Sequence, residues 1–288
     1  MSPMLDTCLE QFDNLRRRGL LLYGDTDAEL VHGAFPLQFR IVPAIRKKPQ
    51  LNHQPDETPA TPDPFGNPDP SFVVTQVNGY TVQLNKFCVM RPQLLLHPQT
   101  FSSQTTRLSI DDFVASREIM LKLDPIDAIA FYNCCPEAGS SQPYKHVQIM
   151  LKPARYEFIM WPDRVAADSI ERLNYCPPVE LSVPYLVRFG SIKDMGAQGI
   201  FEMYQHLLSI LEGILGREIR AHNIVFTADW MCVIPRRQSG ADGRPGANSM
   251  GMMGVIWVAD DAERRSWEDL GLSKYLSELG FPSDWCPN

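Results

Sequence analysis

The run Lys-His-Val-Gln-Ile-Met-Leu at residues 145–151 constrains the fold more than any other stretch. On an extended backbone, successive side chains point to opposite faces. Val147, Ile149 and Leu151 then make one wholly apolar face that needs a core, while His146, Gln148 and Met150 make the other. A histidine and a carboxamide therefore project together from a sheet, roughly 7 Å apart along the strand.

Other segments predict the rest of that sheet. "GYTVQLNKF" (79–87) alternates, with Tyr80, Val82 and Leu84 on one side and Thr81, Gln83 and Asn85 on the other. "RPQLLLHP" (91–98) is a short extended piece, and "IDAIAFYN" (126–133) is a strand. "HNIVFTADWMCVIPRR" (222–237) reads as two strands around a Thr-Ala-Asp turn, and "SMGMMGVIWVA" (249–259) as one more. Helical spacing appears at 4–18, 198–215 and 262–279, and Ser109 is placed to cap a helix that carries Asp112 three residues on. Residues 49–70 hold seven prolines and read as a polar loop. Hairpins and helices join the strands without a βαβ rhythm, so the expected class is α+β, a mainly antiparallel sheet with packed helices. Two regions are expected, 1–180 and 181–288, either packed together or continuous as one domain.

Composition narrows the partners. A formal net charge of −7 argues against a large nucleic-acid footprint, although a local basic cluster suffices for a small polyanion. Arg46, Lys47 and Lys48 form one, to which Lys86, Arg91, Lys145 and Lys152 could add. Seven scattered cysteines without a Cys-x-x-Cys pair argue against a disulfide framework and a zinc site. No signal peptide or membrane span is evident, so a cytoplasmic protein with reduced thiols is expected.

The loop before the 145–151 strand supplies Gly139, Ser140 and Ser141, whose N–H groups and hydroxyls suit phosphate oxygens. Taken alone, an isolated histidine on a strand is more often structural than catalytic. "NCCPEAGSSQPYKHVQ" (133–148), however, resembles the active-site segment of fungal-type diadenosine tetraphosphate phosphorylases, also called ATP adenylyltransferases, in the histidine-triad-like superfamily. Segments around residues 39–49, 82–113, 222–237 and 250–258 resemble that family in the same order. The resemblance implies a histidine-triad-like fold and nucleotidyl transfer through a covalent nucleotidyl-histidine, with His146 as nucleophile. Gln148 falls on the glutamine that marks transfer as opposed to hydrolysis. Asn133, Gly139, Ser140, Ser141 and Gln142, with Lys48, Asn85 and Lys86, fall on substrate-contacting positions.

Tyr144 departs from the pattern, standing where the family has the first histidine of His-x-His-x-Gln, and it is counted with the substrate-binding set. Cys134 and Cys135 replace small residues and are read as packing at a strand end. No tightly bound cofactor and no protein metal site are expected; a divalent cation such as Mg2+ would accompany the polyphosphate. The expected partner is a small nucleotide, not a nucleic acid or a membrane, and the expected assembly is a monomer or homodimer. A repurposed homologue with a non-nucleotide substrate and a non-catalytic nucleotide-binding protein are the alternatives. His97 and His222 are read as structural, and Arg236 and Arg237 as solvated loop bases.

Overall fold

The computed structural model describes residues 2–24, 28–47, 65–124, 127–165, 169–240 and 243–285. In chain order the elements are α1 (Pro3–Arg17), β1 (Ala28–Val31), β2 (Leu37–Ile41), β3 (Val73–Val77), β4 (Tyr80–Leu84), β5 (Gln93–Pro98), α2 (Ile110–Lys122), β6 (Ala128–Cys134) and β7 (Val147–Leu151). They continue with β8 (Arg188–Ser191), α3 (Ala197–Leu215), β9 (His222–Phe226), β10 (Trp230–Pro235), α4 (Ser249–Met252), β11 (Val255–Val258), α5 (Asp261–Leu270) and α6 (Leu272–Leu279).

Eight strands form an antiparallel sheet in the order β3-β4-β5-β7-β6-β9-β10-β8. A second sheet, β1-β2-β11, contains one parallel pair, β2 with β11. The α+β expectation, with helices packed on a mainly antiparallel sheet, is met. Strand β6 pairs with β9, so hydrogen bonds run unbroken from the N-terminal strands into the C-terminal ones.

Period-two alternation gives the large sheet two different faces. Val82, Leu84, Leu94, Leu96, Ala130, Tyr132, Val147 and Ile149 pack against the apolar stripes of α1, α2 and α3. On the other face Ile129, Phe131, Met150, Val225 and Ile234 meet the small sheet and α5 and α6 through Phe39, Ile256, Trp267 and Leu276. That second core covers only part of its face. Beyond Met150, towards β4 and β5, the same face carries Thr81, Gln83, Gln93, His97, His146 and Gln148, all buried. Buried polar groups need partners, and this polar floor is the candidate site.

The Ser109 cap is present as a full capping box with Asp112. Two local expectations are corrected. The segment 249–259 opens with the short helix α4, capped by the Asn248 side chain, before β11 begins. A run of methionines and glycines fits helix and strand alike, so periodicity does not separate them. The closing helix is two helices, because Gly271 adopts φ +74°, a left-handed conformation that breaks the ladder. Strand β8 had no sequence signal.

Candidate active site

His146 lies one residue before β7 and is held on both sides of its backbone-to-ring axis. Its N–H donates to Gln104 Oε1 at 2.8 Å, and its ring Nδ1 is 2.8 Å from the Tyr144 carbonyl oxygen. A carbonyl only accepts, so Nδ1 carries a proton, and in the neutral ring the lone pair then belongs to Nε2. That is the tautomer a nucleophilic imidazole needs. Position 144 thus holds the His146 ring through its backbone oxygen, which tyrosine supplies as well as histidine does. The Tyr144 hydroxyl donates to the Pro98 carbonyl at 2.9 Å, away from that contact.

Gln104 is a site residue that sequence reasoning missed. The β6–β7 ladder ends at Phe131 opposite Gln148, and the strands then part around the loop 135–144. The Gln104 carboxamide fills the gap, accepting from His146 N–H and donating through Nε2 to the Asn133 carbonyl at 2.8 Å. It stands in for a missing rung of the ladder. Its own backbone is fixed by bonds to Pro143, Cys135 and Tyr132. "SSQTTR" has no periodicity that would single the glutamine out.

The His146 ring is 5% exposed. Phe65 stacks on it with centroids 5.0 Å apart and planes at 22°, and Phe65 also meets Tyr144 and, edge-on, His97. The Nε2 lone pair lies in the imidazole plane, so a ring stacked on the face fixes the orientation without lying on the line of attack. Phe65 sits within the proline-rich loop, and no sequence signal placed it on His146. His97, fully buried, belongs to this aromatic cluster.

Gln148 shares the face with His146, and its Oε1 accepts from Gln93 Nε2 of β5 at 2.8 Å. Asn85 follows β4 beside Gln93, with its N–H donating to the Gln93 carbonyl and its Oδ1 accepting from Phe87 N–H. Lys86 is exposed, its ammonium 6.0 Å from the Phe87 ring centroid and its carbonyl paired with Leu22. Lys48 lies outside the described residues.

The turn before β7 is anchored from the C-terminal half. Gly139 has φ +88°, and a Cβ there would meet the Ala247 oxygen and Asn248 Cα at 2.8 Å, so only glycine fits. Asn133 Oδ1 accepts from Asn223 Nδ2, Ser249 N–H and Ser249 Oγ–H at 2.7–2.9 Å, so its carbonyl end is committed to holding the halves together. Ser140, Ser141 and Gln142 are half-buried, and among the described residues no side-chain hydrogen bond engages the two serine hydroxyls. Cys134 and Cys135 are buried with sulfurs 4.0 Å apart. Their mutual hydrogen bond raises the Cys134 pKa, aided by burial, and lowers that of Cys135.

The supposed basic cluster is corrected. Arg91 pairs with Asp13, Lys145 with Asp112, Lys152 with Asp127 and Asp163, and Arg46 with Asp260. Lys145 points to the helix side of the sheet, where a buried ammonium requires the carboxylate it has found. Arg236 is not a solvated base either. It is buried behind the turn and donates to Asn223 Oδ1 and to the carbonyls of Ala138, Gln238, Ala247 and Leu279. Burial pushes its pKa down to about 9.

A mainly antiparallel α+β fold with a histidine and a carboxamide side by side on one sheet face matches the class expected from the sequence, and the similarity to known proteins makes that class a nucleotidyltransferase. A family model described as the Ap4A phosphorylase N-terminal domain matches residues 4–164, and one described as the ATP adenylyltransferase C-terminal domain matches residues 180–282. The chain belongs to the Ap4A phosphorylase family. It is 29% identical over 279 residues to diadenosine 5',5'''-P1,P4-tetraphosphate phosphorylase 2 of Saccharomyces cerevisiae, covering 84% of this chain and 82% of that one. Protein APA1 of the same yeast is 25% identical over 277 residues, covering 87% and 84%. The structure of yeast Ap4A phosphorylase Apa2 in complex with AMP superposes with a TM-score of 0.80 at 22% identity over 99% of both chains. The Apa2 complex with Ap4A gives 0.79 at 22% over 98% of both.

Proposed function

We propose that this enzyme cleaves diadenosine tetraphosphate with phosphate, yielding ATP and ADP. The observation that carries the reading is the Nδ1 bond to the Tyr144 carbonyl, which sets the ring orientation of a histidine that shares its sheet face with the Gln148 carboxamide. Nε2 attacks the α-phosphorus and ATP departs, leaving a nucleotidyl-histidine; a phosphate oxygen then attacks the same phosphorus and ADP is released. A polyphosphate leaving group departs as a stable anion, so an amide at 148 suffices where an acid would otherwise be needed.

Gln148, the 139–142 turn and the Arg236 charge behind it face the negative charge that builds on the phosphoryl oxygens. Lys48, Asn85 and Lys86 complete the proposed substrate set. A divalent cation such as Mg2+ is carried in on the polyphosphate oxygens, which suit hard cations. The partner is a small nucleotide, and the compartment that fits reduced thiols is the cytoplasm; the described cysteines form no disulfide.

Incubation with diadenosine tetraphosphate without phosphate should add one adenylyl group to the intact mass, and His146→Ala should show none. An unmodified wild-type mass at saturating substrate rejects the reading.

A further inference from the structure

We propose that Gln93 is a positioning residue that decides which end of the Gln148 carboxamide meets the phosphoryl group. The inference deepens the reaction proposed above and rests on it. A primary amide can exchange its C=O and NH2 ends by a half-turn with almost no change in shape. One orientation offers a donor to a phosphoryl oxygen; the other offers an acceptor, which repels it. Nothing in Gln148 itself chooses between them.

The choice is made on β5 and its preceding turn. Val89 N–H donates to Gln93 Oε1 at 3.1 Å. A peptide N–H is an obligate donor, so that end of the Gln93 amide must be oxygen. The other end, Nε2, lies 2.8 Å from Gln148 and can only donate, so the near end of Gln148 must be Oε1. The Gln148 NH2 is therefore the end turned away from Gln93, and among the described residues no protein group engages it.

The direction is set by one backbone group and passed across two strands. Gln93 is 1% exposed, and its own carbonyl is tied to Asn85 N–H at 2.9 Å, so the relay has no slack to reverse. None of these groups titrates near neutrality, so the polarity holds across the working pH range.

The test compares Gln93→Glu and Gln93→Met with the wild type in single-turnover adenylylation from pH 5 to about 8.5. At high pH the introduced carboxylate has no proton to give and draws the Gln148 NH2 onto itself. The adenylylation rate should fall ~100-fold, as for loss of one donor to a developing oxyanion. The affinity for AMP should stay within about threefold, because the ground state asks less of that bond than the transition state does.

As pH falls the carboxyl protonates and becomes a donor again, so the ratio of variant to wild-type rate should climb. Gln93→Met has no proton to regain, and its ratio should stay flat. A flat ratio for Gln93→Glu overturns the proposal. Neutron diffraction from wild-type crystals reads the same polarity without any variant or turnover. Deuterons on Gln93 Nε2 between the two amides support it, and deuterons on Gln148 Nε2 aimed at Gln93 overturn it. A wild type that never adenylylates would reject the enzymatic reading while leaving the neutron result to judge the relay.

Discussion

At the scale of single residues, His146 is held by one near neighbour in the chain and by two groups distant in sequence. Tyr144 gives a carbonyl, Phe65 a ring face, and Gln104 an acceptor on the backbone N–H. Replacing Gln104 with leucine leaves the His146 N–H and the Asn133 carbonyl buried without partners. Each orphaned group costs about 1–3 kcal/mol. Urea denaturation of Gln104→Leu should show a loss of that order, and its adenylylation rate should fall more than its affinity for AMP. A variant as stable and as fast as the wild type would show that the missing rung is dispensable.

At the scale of elements, α3 is bound to β9 through a histidine that must stay neutral. His222 is fully buried, with Nδ1 3.0 Å from the Arg220 carbonyl and Nε2 2.9 Å from the Tyr204 hydroxyl. Burial lowers its pKa from 6.5 to about 4. The unfolded chain therefore takes up a proton below pH 6.5, whereas the folded one resists until about pH 4. The stabilisation is fully present above pH 6.5 and is lost as pH falls through that window, a change on the order of 3 kcal/mol. Stability measured by urea at a series of pH values should show this slope, and His222→Gln should flatten it. An unchanged slope in the variant would assign the acid sensitivity elsewhere.

At the scale of the whole molecule, the site is complete only when both halves are present. The N-terminal half supplies the floor, His146 and the turn, while Asn223, Arg236 and Ser249 hold the turn from the other half. The β6–β9 ladder and the α2–α3 packing cross the same boundary. The fragment 1–180 would leave a bare β6 edge and an uncovered α2, and it should show no cooperative unfolding transition by near-ultraviolet circular dichroism. The intact chain should unfold in one transition. A fragment that unfolds cooperatively would mean the halves are independently stable.

The amino-acid sequence alone settled which faces the strands present. The alternation in 79–87 put Thr81 and Gln83 on one face of their strand, that in 145–151 put His146 and Gln148 on one face of theirs, and the Ser109 cap and the long stripe of α3 appeared as read. Those are local properties, because a side chain's face follows from its neighbours along the chain. Tertiary structure alone decided what each polar group on that face would touch. Gln93, Gln104 and Phe65 reach His146 and Gln148 from 42 to 81 residues away, and the lysine beside His146 turned to a carboxylate on α2. Such pairings have no local signature, because they arise only when the assembled sheet removes water from a polar group and leaves one partner within reach.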